Sequence, residues 1–185
     1  ASQKNNQKSF QAAALCELGA LSTKQDASKY YETALQLVDA AENPEIFIQI
    51  HKNYGIYHGA LGEHIASVNH FEKALQQCHS QTNPLLAADI YASLSHEKLK
   101  LGLVDIAQTL ALKAKTIYEH SFDVNGLASV FNHLGTCYFY KQDLDKALHY
   151  YLESRKLYLK IGNRFKLLNV NHNIGLLKES ENLLA

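Results

Sequence analysis

From Pro44 the apolar residues Phe47, Ile50, Tyr54, Tyr57 and Leu61 recur at threes and fours until Gly62 breaks the run. A second run follows with Ile65, Val68, Phe71, Leu75 and Cys78. Spacing of this kind places the apolar residues on one helical face, so the segment predicts two helices joined by a glycine turn. The same order returns over 84–101, Gly102 and 104–120, and again over 124–140 followed by 144–161. Asn43, Asn83, Asp123 and Asn163 precede the longer helices at equal spacing, and Pro44 and Pro84 follow the first two. A capping side chain with proline behind it is a helix start, because that proline's missing N–H would have no partner there anyway. The first copy is less regular: Ser22 stands where the turn glycine belongs, and Asp26 is expected to cap the second helix.

The period also appears as columns of small residues. Ala34, Ala74, Ala114 and Ser154 form one, and Ala27, Ser67, Ala107 and Ala147 another. Gly55, Ser95, Gly135 and Gly175 recur on the first helices, and small side chains at both places let helix axes approach to about 8–10 Å. Tyr54, Leu94, Leu134 and Ile174 form a bulky column, and Tyr31, Phe71 and Tyr151 most of another. Ala111 interrupts the latter, where a local gap or a larger compensating neighbour is expected. Register kept over four copies predicts one supersecondary unit stacked on itself, an all-α solenoid (α-solenoid) of antiparallel helix pairs that works through its surface.

Composition narrows the function. The chain of 185 residues is 46% hydrophobic, with 18 basic and 18 acidic side chains. Zero formal charge and no basic run argue against nucleic acid, whose binding needs many Lys and Arg contacts to phosphate. No apolar stretch reaches the length of a membrane span, and the opening residues are polar and amide-rich rather than a secretion signal. The chain opens without methionine, so a fragment or processed protein is expected. Ten histidines and three cysteines include His133 and Cys137 four apart and Cys78 beside His79, yet no four-ligand set has zinc spacing, and no metal or cofactor is expected. Cys78 shares a column with Val38, Tyr118 and Tyr158, which marks it as core. Three cysteines on separate repeats cannot all pair, which favours the cytoplasm, with a periplasmic input domain as the alternative. No phosphate loop, nucleophile elbow or carboxylate pair is visible, so no catalytic residue is named and no enzyme is expected.

Asn53-Tyr54-Gly55 with Ala74-Leu75, Leu134-Gly135 through Tyr138 to Ala147 and Tyr151, and Asn173-Ile174-Gly175-Leu176 resemble the tetratricopeptide repeat (TPR). The 40-residue unit is similar to the Leu-Gly-Asn repeat proteins and to the repeats that precede bacterial signalling enzymes. Ser154, Ala111 and Leu15 depart from its pattern. The resemblance implies a right-handed superhelix: a polar tail over 1–7, then one domain over 8–185. Its repeats fall at 8–41, 48–81, 88–121 and 128–161, with a partial fifth repeat or capping helix at 168–185.

It also implies a concave groove that binds a protein or an extended peptide. One column of that groove reads Ala13, Asn53, Ser93, His133 and Asn173, where amides can pair with a peptide backbone. Neighbouring columns supply Gln49, Asp89, Ser129 and Asn169, then Lys52, Asn132 and His172, then Cys16, Ile56, His96, Thr136 and Leu176. Phe139 and Tyr140 are placed to close the groove. Lys52 and Lys100 stand without arginine, which argues against a clamp for a C-terminal carboxylate and for a weakly charged peptide or a helix. The function so implied is a bacterial sensory or docking module of a larger signalling or scaffold protein. The alternative is a peptide-regulated phosphatase or signalling-peptide receptor on the same repeats. Leu176, Leu177, Leu183 and Leu184 would need covering, which makes a homodimer through the C-terminal segment an expected partner state.

Overall fold

The computed structural model describes residues 2–22, 24–78 and 83–184. Among them are nine helices and no strand: α1 Ser2–Leu21, α2 Lys24–Leu37, α3 Pro44–Ala60, α4 His64–Gln77, α5 Pro84–Lys100, α6 Val104–Ser121, α7 Val124–Tyr140, α8 Leu144–Lys160 and α9 Arg164–Leu184. The starts at Pro44, Pro84, Val124 and Arg164 keep the expected period. Helices adjacent in sequence pack as antiparallel pairs, α1 with α2, α3 with α4, α5 with α6 and α7 with α8. The fold is the all-α solenoid type that the periodicity predicts. Among the described residues, no helix is long and apolar enough to cross a membrane.

Packing divides the chain into two compact units, Ala1–Asn83 and Pro84–Ala185, where the sequence suggests one domain over 8–185. In the first unit α1 and α2 both touch α3. Ala12, Cys16, Ala27, Tyr31, Ala34, Ile50 and Tyr54 form its core. In the second, α7 packs on α5 and α6, and α9 on α7 and α8. Its cores gather Ala111, Ala114, Tyr118, Val130 and Leu134, and then Ala147, Tyr151, Tyr158, Val170 and Leu177.

The small-residue columns sit where helices meet. A Cβ on Gly55 would lie 3.0 Å from the Phe71 ring, and one on Gly135 would lie 2.5 Å from that of Tyr151. Each first helix thus surrenders a side chain to admit an aromatic ring. The Ser95–Ala111 pair inverts this: the first helix carries the larger side chain and the second the smaller, so the interruption at Ala111 leaves that residue fully buried. A hydroxyl changes helix in the same way. Ser67 Oγ donates to the Gly55 carbonyl at 2.7 Å, whereas Ser95 Oγ donates to the Ala107 carbonyl at 2.9 Å. One repeat apart, the same bond runs in opposite directions. Ser154, the exception in its alanine column, is buried because its hydroxyl donates to the Ala128 carbonyl at 2.7 Å.

Several local expectations need correction. Helix α2 begins at Lys24, so Asp26 lies in its first turn and does not cap it. The proposed tail over 1–7 is helical from Ser2, as part of α1. Tyr31 packs on Gly19, where a Cβ would lie 2.9 Å from the ring, so the small residue missing at Leu15 is supplied one turn later. Asp123 and Asn163 accept hydrogen bonds from the Gly126 and Lys166 N–H groups, but Asn43 caps by position only, its Oδ1 being taken by the Ser9 hydroxyl at 2.7 Å. Gly62, Gly102 and Gly162 turn the chain at positive φ, and Phe122 and Gln142 do so where glycine is absent. Leu177, expected to need covering, is buried, while Leu176 is 41% exposed. The side chains of Leu183 and Leu184, like His79, lie outside the described residues.

Candidate functional site

The first helices of the pairs carry the expected groove residues. In the first unit these are Gln49, Lys52 and Asn53 on α3, all half-buried, with Ile56 exposed. Gln49 Nε2 donates to Asn53 Oδ1 at 3.0 Å, and Asn53 Nδ2 donates to Cys16 Sγ of α1 at 3.4 Å. Asn53 therefore ties α3 to α1 as well as facing outward. Cys16, placed in the groove by the sequence columns, is buried in the core, and burial pushes its thiol up to about 11.

The second unit brings more of these residues together. Asn173 Nδ2 of α9 donates to Asn132 Oδ1 of α7 at 2.9 Å. That bond uses one donor and one acceptor, so the amide pair still presents an NH2 and a carbonyl. His96 of α5 and His133 of α7 lie with ring centroids 5.4 Å apart. His133 Nδ1 is buried and meets no hydrogen-bond partner among the described residues. Burial, then the proximity of His96 and Lys166, pushes this imidazole down to about 3, so the ring is neutral near pH 7. A neutral imidazole nitrogen with nothing to bond is a poised donor or acceptor, and leaving such a group unsatisfied costs about 1–3 kcal/mol.

Other expected residues are spoken for or stand apart. Ser93 Oγ turns back onto the Asp89 carbonyl at 2.8 Å, and Asp89 Oδ1 accepts from the Tyr118 hydroxyl at 2.7 Å. Thr136 donates to the Asn132 carbonyl and accepts from the Tyr151 hydroxyl. Ser129 bonds the Tyr158 hydroxyl. Asn169 and His172 are exposed on α9, and Tyr140 is exposed with its ring 6.1 Å from Phe139. No group of three or more His, Cys, Asp or Glu among the described residues is arranged to hold a metal ion.

The sequence reading passed over one cluster. His51 of α3 and His70 of α4 face each other with Nδ1 atoms 2.8 Å apart, and the His58 ring stacks on His70 at 5.2 Å. Tyr54 packs against both His58 and His70, and Phe47 against His51. The signal was in the repeat: 80 residues on, the same columns hold Phe131, Tyr138 and Tyr150. Those rings make the equivalent cluster of the second unit, with centroids of 5.8 Å for Phe131–Tyr150 and 5.4 Å for Tyr138–Tyr150.

No family model matches the chain. No curated protein matches it either. Among solved structures it is similar to the crystal structure of BtubC (BKLC) from P. vanneervenii, with a TM-score of 0.71 and 18% identity over 98% of this chain and 84% of that one. At this identity the likeness bears on the fold alone.

Proposed function

We propose that the chain is a protein- or peptide-binding module of tetratricopeptide type, serving as the docking or sensory part of a larger bacterial signalling or scaffold protein. The observation that carries the reading is the Asn132–Asn173 amide pair, which joins α7 to α9 and leaves an NH2 and a carbonyl outside that bond. An extended peptide offers alternating N–H and C=O groups that must be paired when taken out of water. The open sides of the Asn132–Asn173 pair supply partners for them, and exposed Tyr140 adds an apolar contact. Three buried free cysteines fit a reducing compartment, the cytoplasm in this proposal.

Binding of an array of extended peptides to the purified chain tests this. The Asn132→Ala, Asn173→Ala double variant should weaken captured peptides by about tenfold or more, roughly 1.4 kcal/mol. His133→Phe, which keeps a ring and removes a buried nitrogen without a partner among the described residues, should not weaken capture. Asn53→Ala should act more through the α1–α3 contact, lowering stability rather than selectivity. Unchanged capture by the double amide variant would remove the groove, and turnover of a phosphorylated response regulator would favour the phosphatase alternative instead.

A second surface supports self-association. On α9, Phe165, Leu168 and Leu176 are 72%, 67% and 41% exposed. They share a face with Gly175, and a Cβ there would meet nothing within 4 Å among the described residues. The equivalent Gly55 and Gly135 are covered by rings from the paired helix. This uncovered face is our proposed docking site for a second copy of the chain.

A further inference from the structure

We propose that His51, His58 and His70 form an acid-sensitive lock on the α3–α4 pair. At 2.8 Å, the two Nδ1 atoms of His51 and His70 hold one hydrogen between them, so the neutral pair must consist of one Nδ1–H donor and one Nδ1 acceptor. Protonating both rings would set two Nδ1–H donors and two charges against each other in a site where His51 is only 3% exposed.

The surrounding charges do not relieve that conflict. Lys73 of α4 opposes protonation of both rings, and His58 opposes that of His70. Glu63, in the turn before α4, is engaged by His58 Nδ1 at 2.5 Å. From α2, Glu32 accepts from the Tyr54 hydroxyl and from Ser28. Cys16 of α1 is a buried thiol held neutral. Burial first, and these like charges second, push His51 and His70 down to about 4.

The sign follows from that direction. A depressed histidine binds its proton more readily in the open chain, so stability is intact above about 6.5 and is lost as pH falls through the interval toward 4. Protonation therefore opens the contact between α3 and α4. The lock is specific to this pair, because the register partner in the second unit uses Phe131, Tyr138 and Tyr150, whose rings carry no charge in that range.

Hydrogen-exchange protection factors of α3 and α4, measured at pH 7 and pH 5 in the full chain, test the proposal. In the wild type they should fall by about tenfold or more. In the His51→Phe, His58→Tyr, His70→Tyr variant, which transplants the second unit's residues, they should change far less. Equal acid sensitivity in both proteins would overturn the lock. Should the triple variant fail to fold, titration of the wild-type imidazoles by NMR decides: midpoints well below 6.5 for His51 and His70 support it, and ordinary midpoints overturn it.

Discussion

Residues 16 apart in the helix pairs share out one volume: Gly55 with Phe71, Ser95 with Ala111, Gly135 with Tyr151. A ring fits only where its counterpart has no side chain, and close-packed interiors leave little slack for a methyl group. Gly135→Ala places a methyl 2.5 Å from the Tyr151 ring, and the resulting overpacking should cost about 1–3 kcal/mol, partly offset by about 1 kcal/mol of helix propensity. Gly175→Ala meets open space on α9 and should instead stabilise by about 0.5–1 kcal/mol. Urea denaturation of the two variants beside the parent chain checks the pair. Opposite signs from the same substitution at two positions of one column would show that neighbours, not the glycine itself, decide the outcome.

At the level of elements, what could be read from the sequence was whatever is punctuated locally. Pro44, Pro84, Gly62 and Gly102 mark starts and stops by backbone constraints that need no tertiary context, and the helices begin and end there. The first pair lacks such marks, with Ser22 in the turn, and α2 accordingly starts before Asp26. Partnerships were not legible. Asn43 occupies a cap position, yet its side chain is claimed by Ser9, 34 residues away, and Asn53 is claimed by Cys16 across 37. The histidine cluster was visible as columns shared with Phe131, Tyr138 and Tyr150, but reading histidines as metal ligands hides their use as rings. Asp123→Ala, which removes a bond to the Gly126 N–H at 2.9 Å, should cost about 1 kcal/mol. Asn43→Ala loses no cap bond but removes the acceptor of the Ser9 hydroxyl, so its cost should largely vanish in a Ser9→Ala background, whereas that of Asp123→Ala should not. Thermal or urea midpoints of the two variants in both backgrounds measure the difference.

For the whole molecule, the all-α repeat architecture was carried by the period itself, whereas the division at Asn83 was not, because apolar spacing continues through both units without a break in register. The proposed association through α9 rests on exposed side chains: about three large apolar groups suit the small, reversible class of interface that buries under ~1,200 Å². Sedimentation velocity over a concentration series should show reversible growth in mass, and Leu168→Asp should abolish it; a strict monomer at high concentration would rule this face out as a self-docking site. The cysteines carry a different consequence. Cys16 and Cys78 are buried in the first unit and Cys137 in the second, and burial raises all three thiols, Cys16 and Cys137 to about 11. So little thiolate exists at neutral pH that alkylating reagents must wait for the chain to breathe. The native sequence thus already carries a chemical stopwatch for each half, readable by mass spectrometry without any added label.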